Sequence, residues 1–186
     1  MKRSGAGRRV RALLAGLAAA LILLPAHAPG QSRDERAVRA AYVFNLIKYV
    51  EWPAPGKELT IALIGDPATG AVMASLLNGR TSDGKPIQVT VSPSEEQLGG
   101  CSLLYVADSG RDEIRNALER VRGKSVLTVG ETDAFVRGGG MVALINTGDH
   151  IRIEVNLDAV QRAGIRISSR VLNLAIIVRP AQNGGN

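Results

Sequence analysis

The 186-residue chain carries a formal net charge of +6 and is 45% hydrophobic and 3% aromatic. This composition is typical of a globular chain with a buried core and excludes a largely disordered protein. Five Lys or Arg residues and no Asp or Glu precede residue 29, so the remaining chain is close to neutral. The net charge therefore gives no argument for nucleic-acid binding, because the excess of basic residues lies in the first 28 residues and not in the folded part of the chain.

Residues 1–28 have the three parts of a secretory signal peptide. A basic start is followed by an apolar run over residues 13–24 and by the small-residue sequence Ala26-His27-Ala28. The apolar run is shorter than the roughly 20 residues of a membrane-spanning helix. The sequence predicts export across the inner membrane, cleavage near residue 28 and a periplasmic location. A retained N-terminal anchor is the alternative.

Residues 38–53, VRAAYVFNLIKYVEWP, are the segment around which the domain is expected to form. Their apolar positions recur at helical spacing and cover more than one face, which predicts a largely buried helix. One stripe at this spacing consists of Val38, Ala41, Tyr42, Asn45 and Tyr49. Because proline cannot continue a helix, we expect the helix to end close to Glu51 and to leave Trp52, the only Trp, at a rigid corner.

Apolar runs and helical patterns alternate along the rest of the chain. Strands are predicted at residues 59–64, 87–91, 101–107 and 125–129. Helices are predicted at residues 71–77, 94–98, 112–122, 133–136, 157–163 and 170–178. Residues 141–145 and 151–155 flank a turn and predict a β-hairpin. The pattern predicts an α/β fold over residues 29–180, a single three-layer domain with a mostly parallel sheet and an antiparallel hairpin edge, then a disordered tail over 181–186.

Few groups along the sequence are suited to catalysis. His150 is the only His after residue 28 and lies next to Asp149 at the hairpin turn, where we expect it to be solvated. Cys101 is the only Cys, which excludes an internal disulfide, and its apolar surroundings predict a buried, inert thiol. One His and one Cys are too few ligands for a zinc site. We predict no catalytic residue, metal or cofactor; a hydrolase with Cys101 or Ser169 as nucleophile is the least favoured alternative.

The turn Gly65-Asp66-Pro67 follows a predicted strand and precedes a predicted helix. Open α/β sheets bind ligands at such turns, and a helix N-terminus attracts anions. Gly65 and Asp66 are therefore weak candidates for ligand binding. A plain turn is the favoured interpretation, because no glycine-rich phosphate-binding motif surrounds these residues.

The helical segments 38–53 and 170–178 are apolar on more sides than one small core requires. In an exported domain, surplus apolar surface predicts a dimer face or a groove for a protein partner. Glu51 beside Trp52 fits a polar rim on an apolar recess, or equally a core Trp with an exposed neighbour.

Several segments, in order along nearly the whole chain after residue 28, resemble the YfiR family. They are AAYVFNLIKYVEWP, IGDP, the strand with Cys101, VLTV, FVRGGGM and IRIEVNLDAVQRAGIRISSRVLNLA. YfiR proteins are small periplasmic repressors of a membrane-bound diguanylate cyclase. The resemblance implies a non-enzymatic homodimer that binds the periplasmic sensor domain of an inner-membrane diguanylate cyclase, without nucleic acid or cofactor, and keeps cyclic-di-GMP synthesis and biofilm formation low.

The resemblance also bears on individual residues. The shared Gly65, Gly139 and Asn156 are expected to be structural. Some relatives use periplasmic disulfides, which a chain with Cys101 alone cannot form internally. The resemblance does not fix which surface contacts the partner. The candidates for contact with the partner or a second copy are Glu51 and Trp52 at the corner and Ser169, Leu172 and Ile176 on the last predicted helix. The alternative function is a periplasmic small-molecule-binding module that senses a ligand for another membrane receptor, with its recess at Gly65 and Asp66 or at Trp52.

Overall fold

An eight-stranded β-sheet forms the middle layer of the structure, a computed structural model that describes residues 33–179. The predicted signal peptide (residues 1–28) and the predicted tail (residues 181–186) lie outside the described residues. None of the helices between Arg33 and Arg179 combines the length and apolar character needed to cross a bilayer.

Helices and strands alternate along most of the described chain. The helices are α1 (Arg33–Ile47), α2 (Pro67–Leu77), α3 (Glu95–Gly100), α4 (Arg111–Arg120), α5 (Asp133–Arg137), α6 (Leu157–Arg162) and α7 (Ser169–Leu172). The strands are β1 (Val50–Glu51), β2 (Leu59–Gly65), β3 (Thr81–Ser82), β4 (Lys85–Val91), β5 (Leu103–Ala107), β6 (Leu127–Gly130), β7 (Val142–Asn146), β8 (Ile151–Val155), β9 (Arg166–Ile167) and β10 (Ile176–Ile177).

The large sheet has the strand order β10-β8-β7-β6-β5-β2-β4-β3, and β1 pairs separately with β9. All neighbours in the large sheet are parallel except β7 with β8 and β3 with β4. The predicted α/β class with a mostly parallel sheet is confirmed, and the predicted hairpin is antiparallel. Strand β10 adds one further parallel strand outside this hairpin.

Helices cover both faces of the sheet. One face packs against α1, α2, α6 and α7, in a core that includes Val43, Leu63 and Tyr105. The other face packs against α3, α4 and α5, in a core that includes Leu104 and Phe135. Two helical layers around one sheet account for the three layers that the alternating pattern predicts.

The glycine run before β7 has a packing role. A Cβ atom on Gly140 would lie 2.2 Å from a ring atom of Phe135, and one on Gly130 would lie 2.3 Å from the same ring. Phe135 is completely buried between these two glycines. Gly139 adopts φ +103°, a conformation that other residues rarely take.

Helix α1 ends earlier than predicted. The pattern placed its end near Glu51, but the helix ends at Ile47 and Val50–Glu51 forms strand β1. The cause is tertiary, because β1 pairs antiparallel with β9, and Val50 lies opposite Ile167. Pairing with a distant segment overrides the local helical pattern here.

The prediction of a helix over residues 170–178 is wrong beyond Leu172. Helix α7 spans only Ser169–Leu172, and Ile176–Ile177 forms β10 against the outer side of β8. Val178 N donates a hydrogen bond to Val155 O at 2.8 Å, which continues this pairing. The three consecutive β-branched residues from Ile176 to Val178 favour a strand over a helix.

Candidate functional site

The carboxyl ends of β2, β5 and β6 form the sheet edge at which open α/β folds bind ligands. The chain passes from β2 to β4 on one side and returns to β5 on the other, so the strand order reverses between β2 and β5. Two arginines of α1 lie at that edge. Arg36 contacts Asp66 after β2, and Arg39 contacts Glu131 after β6.

Asp66 caps the N-terminus of α2. Its Oδ2 accepts hydrogen bonds from Thr69 Oγ1 at 2.8 Å and Thr69 N at 3.0 Å, and its Oδ1 accepts one from Ala68 N at 3.1 Å. Arg36 Nε lies 3.2 Å from Oδ2. Burial alone would raise the pKa of Asp66, but these hydrogen bonds and the Arg36 charge outweigh burial and hold the pKa below its usual value. The helix N-terminus is thus already bound to a carboxylate of the chain itself.

Arg39 lies in a buried ionic cluster. Its side chain is 3% exposed, with Nη1 2.8 Å from Glu35 Oε1 and Nε 3.8 Å from Glu131 Oε1. Tyr105 Oη donates to Glu131 Oε1 at 2.9 Å, and Asp108 N donates to Oε2 at 3.2 Å. Burial, and then the negative charge of Glu131, raise the pKa of Tyr105 well above its usual range, so Tyr105 stays a donor.

Helix α1 is held in this position by apolar packing as well. Ala40, Val43, Leu46 and Ile47 are all buried in the main core. Exposing three large side chains of this kind costs about 1.5–3 kcal/mol each, which is comparable with the whole stability of a domain. Helix α1 is therefore an integral part of the main core.

The carboxyl ends of β2 and β5 approach each other closely at Gly65. It adopts φ +93°, and a Cβ atom there would lie 1.8 Å from Ala107 O. The structure thus gives Gly65 a packing role and Asp66 a capping role.

Asn156, another residue expected to be structural, is completely buried. It caps α6 by accepting a hydrogen bond from Ala159 N at 3.0 Å.

The nucleophile and base considered from the sequence lie apart in the fold. Cys101 is buried, donates to Leu98 O at 3.3 Å and has its pKa raised by burial to about 11. His150 is exposed, with Nδ1 2.6 Å from Asp149 Oδ1. Within residues 33–179, neither Cys101 nor Ser169 hydrogen-bonds to His150, and no group of three His, Cys, Asp or Glu is arranged to hold a metal ion.

An apolar groove of about 340 Å³ lies between α1, the sheet and the C-terminal segment that includes α7. One wall is the stripe Val38, Ala41, Tyr42 and Asn45 of α1 with Tyr49 just after the helix, and Leu46 of α1 also lines it. The sheet contributes Leu144 and Ile153, and the C-terminal segment contributes Val171 and Leu174. The stripe that the sequence pattern assigned to a buried helix face is therefore the wall of an open groove.

The C-terminal segment carries the most exposed large apolar side chains near this groove. Leu174 is 80% exposed, and Ile176 and Ile177 on the edge strand are 51% and 42% exposed. Of the three residues predicted here, Ser169 and Ile176 are exposed and Leu172 packs partly against the core. Sequence reasoning missed Leu174 and Ile177; their apolar neighbours in a predicted helix gave no signal that they face outward.

The Glu51-Trp52 corner lies close to the same segment. Glu51 Oε2 lies 2.7 Å from Arg166 Nη2 across the β1–β9 pair, and Ser168 N donates to Tyr49 O at 2.9 Å. Trp52 is half-buried and donates from Nε1 to Ser102 O at 2.9 Å. The corner therefore lies next to the start of α7. Glu51 and Trp52 also line a recess of about 290 Å³.

Comparisons with known proteins agree with this fold. A conserved domain protein from Vibrio cholerae O1 biovar El Tor matches with a TM-score of 0.52 and 10% identity, over 76% of this chain and 59% of that chain. The ABC domain in complex with L-Trp from Streptococcus pneumoniae matches with a TM-score of 0.50 and 12% identity, over 77% of this chain and 60% of that chain. This chain spans about 60% of the length of either structure, and identities this low show the fold alone.

The sequence itself gives the more specific match. The profile of the YfiR/HmsC-like family matches residues 36–176, which include the groove, the Arg39–Glu131 pair and the C-terminal segment as far as Ile176. The match covers most of the chain. The chain therefore belongs to the YfiR/HmsC-like family, a regulatory family of diguanylate cyclase signalling.

Proposed function

We propose that this protein is a non-enzymatic periplasmic repressor that binds the periplasmic sensor domain of an inner-membrane diguanylate cyclase and lowers cyclic-di-GMP synthesis. The observation that carries the proposal is the family match over residues 36–176. The closed sheet edge adds support, because side chains of the chain itself occupy the usual ligand position of the fold class.

The contact face of this repressor is the apolar groove together with the segment that follows it. Ser169, Leu172 and Ile176 lie along this segment, beside the strongly exposed Leu174. Glu51 and Trp52 flank it at the β1–β9 pair. Exposed apolar side chains around a concave centre are typical of a protein-binding surface. Repression follows if the protein binds the inactive state of the cyclase more tightly than the active state.

A homodimer is part of the same proposal. Strand β10 lies at the edge of the large sheet with both of its side chains exposed, and an edge strand offers unpaired backbone groups to another chain. A second copy and the cyclase would therefore use neighbouring surfaces. Light scattering of the purified protein, alone and with the sensor domain, measures which assembly forms.

The alternative small-molecule sensor has less support at Gly65 and Asp66, where Arg36 and the N-terminus of α2 already hold the carboxylate. The recess beside Trp52 is its remaining location. Ligand-dependent quenching of the fluorescence of this single Trp would favour the sensor.

The decisive experiment is a pull-down of the exported protein from native membranes, followed by mass spectrometry. Recovery of a diguanylate cyclase with a periplasmic domain, together with higher cyclic-di-GMP in cells that lack the protein, supports the proposal. Recovery of a different receptor contradicts it. Recovery of no partner, while a metabolite raises the melting temperature, favours the sensor instead.

A further inference from the structure

A second cavity, of about 550 Å³, opens at the amino ends of β6 and β7. The sheet is incompletely paired there. Strand β6 pairs with β5 from Leu127 to Gly130, but with β7 only at Val129 and Gly130. Thr128 Oγ1 accepts a hydrogen bond from Met141 N at 3.0 Å at the point where the ladder between β6 and β7 stops.

The floor of this cavity is apolar and its rim is basic. Val121, Val126 and Met141 are among the buried side chains of the floor. Arg122, Lys124 and Arg162 are exposed at the rim, and no Asp or Glu is among the lining residues.

Two of the three rim cations have no counter-ion among the residues that the structure describes. Arg122 pairs with Glu119 on the last turn of α4. Within residues 33–179, neither Lys124 nor Arg162 has a carboxylate at ion-pair distance. Lys124 follows α4, and its Nζ lies beside Gly99 of α3, within reach of the rim, whereas Arg162 is the last residue of α6, so the two cations belong to different elements that line the cavity.

We propose that this cavity binds an amphipathic anion, a long alkyl chain that carries a carboxylate or phosphate group. Lys124 and Arg162 bind the head group through charge-assisted hydrogen bonds, and the alkyl chain lies over the floor formed by Val121, Val126 and Met141. Neither half of the site is sufficient alone, because exposed cations bind isolated anions weakly in water and the cavity has charges only at its rim. This site goes beyond the proposed repressor function and does not depend on it.

The test is isothermal titration calorimetry of the purified full protein with monododecyl phosphate below its micellar concentration. Inorganic phosphate and dodecanol are titrated separately as the head group and the chain. We expect saturable binding of monododecyl phosphate and at least tenfold weaker binding of either half. Arg162→Gln and Lys124→Gln should each weaken binding about tenfold, as expected for loss of one charge-assisted contact. Lys57→Gln, an exposed lysine away from the cavity, should leave it unchanged.

Each other result overturns the inference. Equal binding of dodecanol would show an apolar cavity without anion selectivity, and equal binding of inorganic phosphate would show a surface anion contact without use of the floor. Undiminished binding in the double variant Lys124→Gln/Arg162→Gln would place the ligand elsewhere. Absence of saturable binding of monododecyl phosphate would show that the cavity does not bind amphipathic anions. Circular dichroism of each variant confirms that the exposed substitutions leave the fold intact.

Discussion

Arg39 on α1 and Glu131 after β6 form a buried ion pair, with Nε 3.8 Å from Oε1 and side chains only 3% and 4% exposed. Helix α1 is thereby joined to the sheet edge where ligands bind in related folds. Removing one partner of a buried pair leaves an uncompensated charge.

We therefore expect Arg39→Met to lower the free energy of unfolding by about 3–5 kcal/mol. Arg115→Met is the matched control, because Arg115 pairs with Asp112 at 2.7 Å on the surface, and surface pairs contribute less than about 1 kcal/mol. Urea unfolding followed by Trp52 fluorescence measures both. Equal effects of the two substitutions would contradict the role assigned to the cluster.

The close approach at Gly65 gives a second prediction. Gly65→Ala forces a Cβ atom to within 1.8 Å of Ala107 O, so β2 or β5 must move. Gly79 is the control because it also has positive φ, +77°, but a Cβ atom added there would meet no other atom within 4 Å. Gly79→Ala should cost about 1 kcal/mol of stability from backbone strain alone, and Gly65→Ala several times more. Similar unfolding midpoints would show that the strands adjust without cost.

Much of the fold follows from local patterns, because β2, β4, β5 and β6 are short apolar runs and α4 is amphipathic. The two errors in element assignment share a cause. Val50–Glu51 and Ile176–Ile177 are two-residue strands that depend on distant partners, Arg166–Ile167 and β8. A helical pattern in the sequence carries no information about such pairing.

The candidate site was only partly predictable for the same reason. The apolar stripe from Val38 to Tyr49 is visible in the sequence, but whether a stripe is buried or lines a groove depends on what lies opposite. Here the opposite wall includes Leu174, from a segment that ends in a strand instead of a helix. The buried contact between Arg39 and Glu131 joins residues far apart along the chain, and no local signal identifies it.

The groove predicts the effect of single charges on partner binding. Leu174→Glu and Ile176→Glu place a carboxylate at residues 80% and 51% exposed, so stability should change by less than about 1 kcal/mol. We expect each substitution to abolish co-purification of the cyclase and to raise cyclic-di-GMP in cells. Leu76→Glu, on α2 and 41% exposed, is the matched control and should retain binding. Leu172→Glu tests whether the half-buried Leu172 also contacts the partner. The melting temperature of this variant separates loss of binding from loss of the fold.

Asp66 predicts how stability depends on pH. Its pKa is lower in the folded protein than its ordinary value of 3.8. The carboxylate therefore stabilises the fold above that value, and this contribution is lost as the pH falls through the lower, folded pKa. Asp66→Asn should be less stable than the wild type at neutral pH, by about 0.5–2 kcal/mol for a lost cap, and the difference should shrink in acid. Thr69→Val should act similarly, whereas Thr69→Ser keeps the donor to Oδ2. A difference independent of pH would contradict the role of the charge.

Because Cys101 is buried, we expect the rate of its reaction with a thiol reagent to measure unfolding of the protein. The residue is 4% exposed, and burial raises the pKa of its thiol to about 11. At pH 8 only about one molecule in a thousand would carry a thiolate, the reactive form. A chromogenic disulfide reagent should therefore modify the folded protein very slowly, and one equivalent should react at once in denaturing urea, because the chain has a single Cys. The labelling rate should rise with sub-denaturing urea in parallel with the unfolded fraction. Fast labelling of the folded protein would show that the chain opens locally before the amino end of β5. Cys101 would then be accessible for an intermolecular disulfide.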